Sequence, residues 1–292
     1  MLLFPNAKIN LGLNVISRRP DGYHDIQTVM VPIPSFDILE ITPLPSGEAP
    51  CIAEQPDCPI PPEPRDTLTC TGLSIDCPME KNLVIKALRA MREIRMIPFV
   101  DISLCKQTPD GAGLGGGSAD AAFMLRGLNE LFDLGMADKE LAQIAARIGA
   151  DCPFFIYNRP MLCTGTGTDM TPIPLELPAD TWIALVKPPV SVSTAEAYAG
   201  VTPKEPSVSI AEVLQRPADE WQGLLVNDFE PSVIAKCPVI GQIKQTLLDH
   251  GAYYAAMSGS GSAVFGLFHG EVDGTLGKLL APLGCYLIRK LN

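Results

Sequence analysis

The segment TPDGAGLGGGSADAA, residues 108–122, carries the most information about the fold of this chain. Its five glycines lie between a predicted strand at 100–104 and a predicted amphipathic helix. Glycine lets the backbone turn with positive φ and bring successive N–H groups toward one point, and the following helix adds free N–H groups and its positive dipole end. The segment therefore predicts a phosphate-binding loop. A tightly packed turn is the alternative, and the helix directly after the loop makes it the weaker one.

Two common phosphate-binding loops fit this segment poorly. Gly111, Gly113 and Gly116 satisfy the dinucleotide-binding spacing. However, residues 106–110 separate the predicted strand from the first glycine, and the position about twenty residues further on falls in a helix rather than at a strand end. A P-loop requires a lysine followed by Ser or Thr at its end, and this segment has none. A different phosphate-binding fold is indicated, with a dinucleotide-dependent dehydrogenase as a minor alternative.

Outward from the loop, hydrophobic periodicity predicts alternating strands and helices. Helices are predicted at 82–94, from the loop to Gly135, and at 139–148. Strands are predicted on either side of 18–22, at 182–186 and at 263–267. A closing helix and strand are predicted within 275–288. Residues 43–78 are rich in proline and cysteine, which predicts long connections with one or two edge strands. A change of pattern near Asn158 divides the chain into domains at 1–157 and 158–292.

Composition and charge restrict the class of protein. The chain has 292 residues, 47% of them hydrophobic, and a formal net charge of −11, which predicts a globular protein without general attraction to nucleic acid or anionic membranes. Its nine cysteines include no CxxC pair, so neither a zinc site nor a disulfide framework is indicated. The start, MLLFPNAKIN, lacks a basic leader, and no window reaches membrane-spanning length. We expect a soluble, cytoplasmic protein.

Three ordered motifs resemble those of the GHMP kinases. GLGGGSADAA is similar to the family's second motif, whose loop wraps the ATP phosphates, PNAKINLGLNV to the first and MSGSGSAVFGLF to the third, over 5–268. RRPDGYHDIQT, GADCPFF and NDFE resemble the branch whose acceptor is 4-diphosphocytidyl-2-C-methyl-D-erythritol, used in isoprenoid precursor synthesis. The chain departs from the usual pattern at Ala119, where a second serine commonly follows Ser118, and in the extended region 43–78.

The resemblance implies a fold and a set of ligands. The fold would be α+β with two lobes, an N-terminal ATP-binding lobe containing a mixed sheet and the glycine loop, and a ferredoxin-like C-terminal lobe. ATP would be the phosphoryl donor, Mg²⁺ would bridge its phosphates, and a small molecule would be the acceptor. The resemblance assigns no residues to the metal, and it is compatible with a monomer or a homodimer.

The resemblance also implies roles for individual residues. Asp151 would take the proton of the acceptor hydroxyl, and Lys8 would steady that carboxylate or the developing charge. The acceptor would contact Asn10, Tyr23, His24, Gly165, Gly167 and Tyr198, with Tyr23 and His24 reading the cytosine and Tyr198 stacking on it. ATP would contact the turn 258–262 and Asn82, Lys106, Pro109, Gly111, Ala112, Gly113, Leu114, Gly115, Gly116, Gly117 and Ser118.

Each residue also has a plainer explanation. Asp151 alone would be an ordinary turn aspartate, Lys8 an exposed side chain at a strand edge, and Asn82 a helix cap. His250 and His269 are predicted to be surface groups. Two further functions stay open from the residues alone: a GHMP kinase acting on homoserine or mevalonate, and a regulatory module that holds ATP without chemistry.

Overall fold

The computed structural model describes residues 1–44, 66–74 and 77–291. Its longest strands, β2 (Asn6–Arg18) and β3 (His24–Phe36), form the antiparallel hairpin predicted around 18–22. A second hairpin, β7 (Met161–Thr164) and β8 (Asp169–Pro172), extends this sheet in the order β2-β3-β7-β8. Since β7 pairs with β3, the first sheet continues past the boundary proposed at residue 158. The division of the chain at that point stays a prediction.

A second sheet of four strands is mixed, as predicted. Its order is β1 (Leu2–Leu3), β4 (Ile38–Pro43), β6 (Val100–Lys106) and β5 (Thr67–Gly72). Strand β5 runs parallel to β6, whereas the other neighbours are antiparallel. β5 is an edge strand from the proline- and cysteine-rich region, as expected. Most of the remainder of that region lies outside the described residues.

Four helices pack against one another beside these sheets. They are α1 (Leu83–Arg92), α2 (Gly116–Leu131), α3 (Asp138–Ile148) and α4 (Cys152–Tyr157). Their apolar faces meet residues of β4 and β6 in one buried core. The helices contribute side chains such as Leu88, Met91, Leu125, Leu128 and Phe154. Burial of each such side chain stabilises the fold by roughly 1.5–3 kcal/mol.

Helix α2 ends at Leu131, before the predicted limit at Gly135. The Asn129 side chain accepts a hydrogen bond from the Met136 N–H and donates one to the Met136 carbonyl oxygen. Asp133 and Gly135 have φ of 48° and 63°, values that a helix does not permit. The predicted helix was therefore too long. The hydrogen bonds of the Asn129 side chain to Met136 take the place of those in a further helical turn.

The C-terminal sheet has the order β10 (Tyr254–Met257), β11 (Val264–His269), β9 (Thr181–Lys187) and β12 (Cys285–Lys290), all antiparallel. Helices lie between β9 and β10 and between β11 and β12, which gives β-α-β-β-α-β connectivity. This connectivity is compatible with the ferredoxin-like lobe, which stays a prediction. The helices of this half are α5 (Thr194–Ala199), α6 (Ile210–Val213), α7 (Glu230–Lys236), α8 (Pro238–Asp249) and α9 (Gly274–Leu280).

The two halves of the chain share a hydrophobic core. Ile9 and Val31 of the long hairpin lie in the same buried cluster as Leu185, Trp221 and Phe265 of the C-terminal half. This shared core fixes β2 relative to the C-terminal sheet, and residues of β2 line the cleft described below. Within the ranges that the structure describes, no helix is long and apolar enough to cross a bilayer.

Candidate active site

A cleft of about 390 Å³ lies where the glycine loop meets the two halves of the chain. Its walls come from β2 and β3, residues 109–118, the start of α4, residues 192–198 and the turn 259–261. Most of the predicted site residues therefore converge on one cavity. Those lining it are Lys8, Asn10, Pro109, Gly111, Ala112, Gly113, Gly115, Gly116, Gly117, Ser118, Asp151, Gly167 and Tyr198.

The glycine loop has the backbone conformation that its sequence predicts. Gly111, Gly113 and Gly115 have φ of 60°, 76° and 70°, in the left-handed region that glycine adopts without steric cost. On one side the Lys8 N–H donates to the Leu114 carbonyl oxygen at 2.9 Å. On the other side the Ala263 N–H donates to the Ala112 carbonyl oxygen at 3.1 Å. These bonds tether the loop to β2 and to the third motif.

The second and third motifs touch at Gly113. A β-carbon at this position would lie 2.0 Å from the Ser258 carbonyl oxygen, so only glycine fits. The Ser258 hydroxyl in turn donates to the Gly113 carbonyl oxygen at 2.9 Å. Two sequence motifs 145 residues apart thus form one continuous backbone surface.

Asn227 of NDFE holds the third motif in place. Its side-chain amide donates to the carbonyl oxygens of Met257 and Gly259, both at 2.8 Å, and its Oδ1 accepts from the Phe229 N–H at 3.0 Å. The segment NDFE was predicted only to mark the family branch, with no role for Asn227. The fully satisfied, buried amide shows that the residue positions the turn 259–261.

Lys8 and Asp151, predicted to act together, are close in the cleft. The Lys8 Nζ lies 3.6 Å from Asp151 Oδ2 and donates to Asn10 Oδ1 at 2.5 Å. The Lys8 side chain is 4% exposed, in contrast to the strand-edge alternative, whereas the Asp151 side chain is 33% exposed at the start of α4. The ammonium group is therefore held rigidly, and the carboxylate remains accessible from the cleft.

Thr28 is a site residue that the sequence analysis missed. Its hydroxyl accepts from Asn10 Nδ2 at 3.0 Å and donates to the Gly12 carbonyl oxygen at 2.6 Å. A register shift in β2 between Leu11 and Leu13 accompanies the interruption of the ladder at Gly12. The Thr28 contacts fix the Asn10 amide with its oxygen toward Lys8. A polar residue within an apolar strand was the available signal.

Lys106 and Asn82 do not line the cleft. The Lys106 ammonium lies between the carboxylates of Asp37 and Asp120, and its side chain is 4% exposed. Asn82 accepts from the Val84 N–H at 2.9 Å and caps α1, as in its plainer explanation. The structure thus gives both side chains partners within the protein, and their predicted contacts with ATP stay untested.

Two of the three residues proposed for cytosine recognition, His24 and Tyr198, contact each other. The rings of His24 and Tyr198 stack with centroids 4.7 Å apart and an interplanar angle of 18°, and Tyr198 packs edge-on against Phe229. A second cavity of about 720 Å³ is lined by Tyr23, His24 and Tyr198, and shares Thr166, Thr194 and Tyr198 with the main cleft.

Gly165 lies in the turn between β7 and β8 and does not line the main cleft. Its carbonyl oxygen accepts from the Ile26 N–H at 2.8 Å, and its φ is 62°. The neighbouring Thr166 and Gly167 form the wall instead.

His250 and His269 are exposed, as predicted. The His250 ring forms a hydrogen bond with the Thr246 carbonyl oxygen, and the His269 ring forms one with Asp219.

Two thiols and a phenol near Asp151 have raised pKa values. Burial raises the pKa of the Cys152 thiol to about 11 and that of Cys163 to about 12, so both thiols stay protonated at neutral pH. Burial, followed by the Asp151 charge, also raises the pKa of Tyr198. Neither thiol lines the cleft, and neither they nor the Tyr198 phenol would accept a proton near neutral pH, so the predicted role of Asp151 stays a prediction.

Family models match two stretches of the chain. Residues 82–159 match the GHMP kinases N terminal domain, and residues 209–279 match the GHMP kinases C terminal domain. The chain is 53% identical over 268 residues to the 4-diphosphocytidyl-2-C-methyl-D-erythritol kinase of Parabacteroides distasonis, covering 92% of each protein. It is 48% identical over 271 residues to the enzyme of that name from Bacteroides fragilis, covering 93% of each.

Solved structures give the same picture of the fold. A crystal structure of 4-(cytidine 5'-diphospho)-2C-methyl-D-erythritol kinase superimposes with a TM-score of 0.79 at 28% identity, covering 99% of this chain and 98% of that one. Homoserine kinase from Cytophaga hutchinsonii has a TM-score of 0.67 at 19% identity, covering 98% and 95% of the two chains. The second similarity concerns the fold alone.

Proposed function

Because the chain belongs to the GHMP kinase family, we propose that its cleft transfers the γ-phosphoryl group of ATP to the 2-hydroxyl of 4-diphosphocytidyl-2-C-methyl-D-erythritol. The enzyme is a small-molecule kinase of isoprenoid precursor synthesis. The observation that carries the proposal is the Lys8–Asp151 pair, 3.6 Å apart beside the glycine loop in one cleft.

The chemical step needs one base and fixed positive charge. Asp151 takes the proton of the acceptor hydroxyl, the hydroxyl oxygen forms a bond to the γ-phosphorus, and the bond from that phosphorus to the β,γ-bridging oxygen breaks to release ADP. The Lys8 ammonium keeps the carboxylate in place and offsets charge on the attacking oxygen. Asn10 and Thr28 keep the ammonium in this position through the hydrogen bonds described above.

The glycine loop supplies the phosphate contacts. Its left-handed glycines and the N-terminus of α2 supply backbone N–H groups and a positive dipole end, which compensate an anion without a net positive protein charge. The chain as a whole carries a charge of −11, so local backbone groups must do this. We therefore assign the triphosphate to residues 109–118 and the turn 259–261.

The oxygen donors of the cleft fit the predicted Mg²⁺. Asp110 and Ser118 line the cavity beside the glycine loop. Magnesium prefers oxygen ligands, keeps several waters, and binds through one or two carboxylates together with substrate phosphates. This donor set could hold such an ion, which would supply charge neutralisation to the phosphates. The proton transfer from the acceptor hydroxyl uses only the side chains of Asp151 and Lys8.

The second cavity is the proposed location of the cytidine end of the acceptor. A base between His24 and Tyr198 would require a ring separation of roughly 7 Å, twice an optimal contact distance. The observed separation of 4.7 Å is too small for this arrangement. We propose that the base displaces the His24 ring from Tyr198 and then stacks on Tyr198, while Tyr23 and His24 supply polar contacts at its edge.

The proposal implies a cytoplasmic enzyme with small-molecule ligands. ATP and a nucleotide-linked polyol are both small, highly charged molecules that are available in the cytoplasm. The acidic charge of −11 is unfavourable for binding nucleic acid or anionic membranes. All side chains used in the mechanism come from one chain, so the reaction is compatible with a monomer or a homodimer.

The function is tested by ADP release measured with a panel of acceptors. We expect ATP-dependent turnover with 4-diphosphocytidyl-2-C-methyl-D-erythritol and little with homoserine or mevalonate, because only the first has a base for the second cavity. Turnover with homoserine or mevalonate alone would assign the chain to another kinase of the family. ATP binding without turnover on any acceptor would favour the regulatory module.

The cytosine assignment predicts a selective loss of acceptor affinity. Replacing His24 or Tyr198 with alanine should raise the acceptor KM about tenfold, because stacking on one base contributes ~1–3 kcal/mol. The KM for ATP should change less than threefold. His250→Ala is the control, because His250 is a surface histidine that lines neither the cleft nor the second cavity. An unchanged acceptor KM in both variants would mean that the cytosine does not bind in this cavity.

A further inference from the structure

A buried cluster of three charged side chains lies beside the glycine loop. The Lys106 ammonium contacts the Asp37 carboxylate and donates to Asp120 Oδ2 at 2.7 Å. Asp37 lies between β3 and β4, Lys106 ends β6, and Asp120 lies near the start of α2. The three side chains are at most 4% exposed. Burying each charge costs several kcal/mol, which pairing offsets only partly, so stability alone is a weak explanation for this cluster.

The cluster joins the two ends of the glycine loop. Asp37 Oδ1 accepts from the N–H groups of Gln107 and Thr108, at 2.6 and 2.8 Å, immediately before the loop. Asp120 belongs to the helix that begins immediately after the loop. A β-carbon on Gly116 would lie 3.2 Å from the Lys106 Nζ, which shows how closely the ammonium approaches the loop's end.

We propose that Asp37, Lys106 and Asp120 form a clamp that holds both ends of the glycine loop at the separation needed to bind a triphosphate. The three residues are positioning residues, since none lines the cleft. The clamp acts on nucleotide affinity and leaves the chemistry at Asp151 unaffected. This inference rests on the proposed function, because it assumes that the loop binds ATP.

Asp120 is the member whose presence the clamp explains best. Asp37 alone would neutralise Lys106, whereas Asp120 adds a second negative charge near a site for a polyanion. Among the described residues its Oδ1 has no hydrogen-bond partner, so its bond to Lys106 is its main contact. Burial raises the pKa of Asp120 to about 7 although the Lys106 charge opposes the shift. Asparagine has nearly the same shape and an oxygen that can accept from Lys106, so it is the closest neutral substitute for this side chain.

Two variants at Asp120 test the clamp. Asp120→Ala removes the tie to α2 and leaves the neutral Asp37–Lys106 pair, so the fold should persist. Asp120→Asn keeps an oxygen that can accept from Lys106. Binding of a non-hydrolysable ATP analogue is measured by calorimetry. We expect Kd to weaken about tenfold for Asp120→Ala and less than threefold for Asp120→Asn, with one site per chain in both and the acceptor KM unchanged.

The calorimetric stoichiometry separates positioning from folding. A reduced number of sites with unchanged Kd in Asp120→Ala would mean a purely structural role and would overturn the clamp. Equal weakening in both variants would also overturn it, because the charge and not the tie would then matter. A wild-type protein that does not bind the analogue would overturn the proposed function, and the clamp with it. The proposed function and the clamp would both be supported if wild type binds the analogue and only Asp120→Ala binds it more weakly.

Discussion

Asp151→Asn should lower kcat with ATP and 4-diphosphocytidyl-2-C-methyl-D-erythritol by roughly 10²–10⁴-fold, the usual contribution of a general base. Asparagine has nearly the same shape, and its oxygen can still face Lys8, so the geometry of the cleft is retained. What is lost is the ability to accept the hydroxyl proton. We expect the KM for ATP to change less than threefold, since Asp151 lies at the start of α4 and outside the glycine loop.

The control for Asp151→Asn is Asp249→Asn. Asp249 is the last residue of α8, does not line the cleft, and accepts an exposed hydrogen bond from Gln245. This variant removes the same negative charge and should keep full turnover. If Asp151→Asn retains kcat within a few-fold of wild type, the carboxylate is not the proton acceptor.

Gly113→Ala should weaken binding of ATP by about 30-fold or more. The added β-carbon would lie 2.0 Å from the Ser258 carbonyl oxygen, and the residue has a φ of 76°. Left-handed strain and overpacking together cost roughly 2–4 kcal/mol, and each 1.4 kcal/mol is a factor of ten in affinity if the cost falls on the bound state. The second and third motifs must separate to accommodate the methyl group.

Calorimetry with the non-hydrolysable analogue measures this effect, and thermal unfolding reports the cost to the fold. Gly274→Ala is the matched control, because Gly274 begins α9 and an added β-carbon meets no atom within 4 Å. It should bind the nucleotide as wild type does. A Gly113→Ala protein with wild-type affinity would show that the contact between the two motifs does not shape the phosphate site.

Much of the fold follows from patterns that span only a few residues. The hairpin at 18–22, α1, α3 and β9 were predicted to within one or two residues of most ends, because hydrophobic spacing and turn residues act locally. The end of α2 was wrong, since Asn129 and the left-handed residues after it replace the helix through contacts that spacing does not reveal. Strand β6 also reaches Lys106, beyond the predicted Leu104, because Cys105 and Lys106 continue the ladder with β5 opposite Thr71 and Gly72.

The candidate site was predicted by motif more than by geometry. Lys8 and Asp151 came from the family resemblance, whereas the glycines came from the composition of the loop and the helix after it, and the structure brings them to one cleft. Thr28 and Asn227 were missed as site residues because they act through other residues and belong to no phosphate-binding pattern. The stacking of His24 on Tyr198 was also not foreseen, since the two rings are 174 positions apart along the chain.

By itself, the sequence determined the conformation of the glycine loop, with left-handed residues directly before a helix, because glycine content and the following helix restrict the backbone directly. Ordered motifs also determined the family. Only the tertiary structure decided that Ser258 closes on Gly113, that Lys8 reaches Asp151, and that Lys106 is held between two carboxylates. The physical reason is that such contacts join residues distant in sequence, and their partners depend on how the shared core orients the strands and helices that carry them.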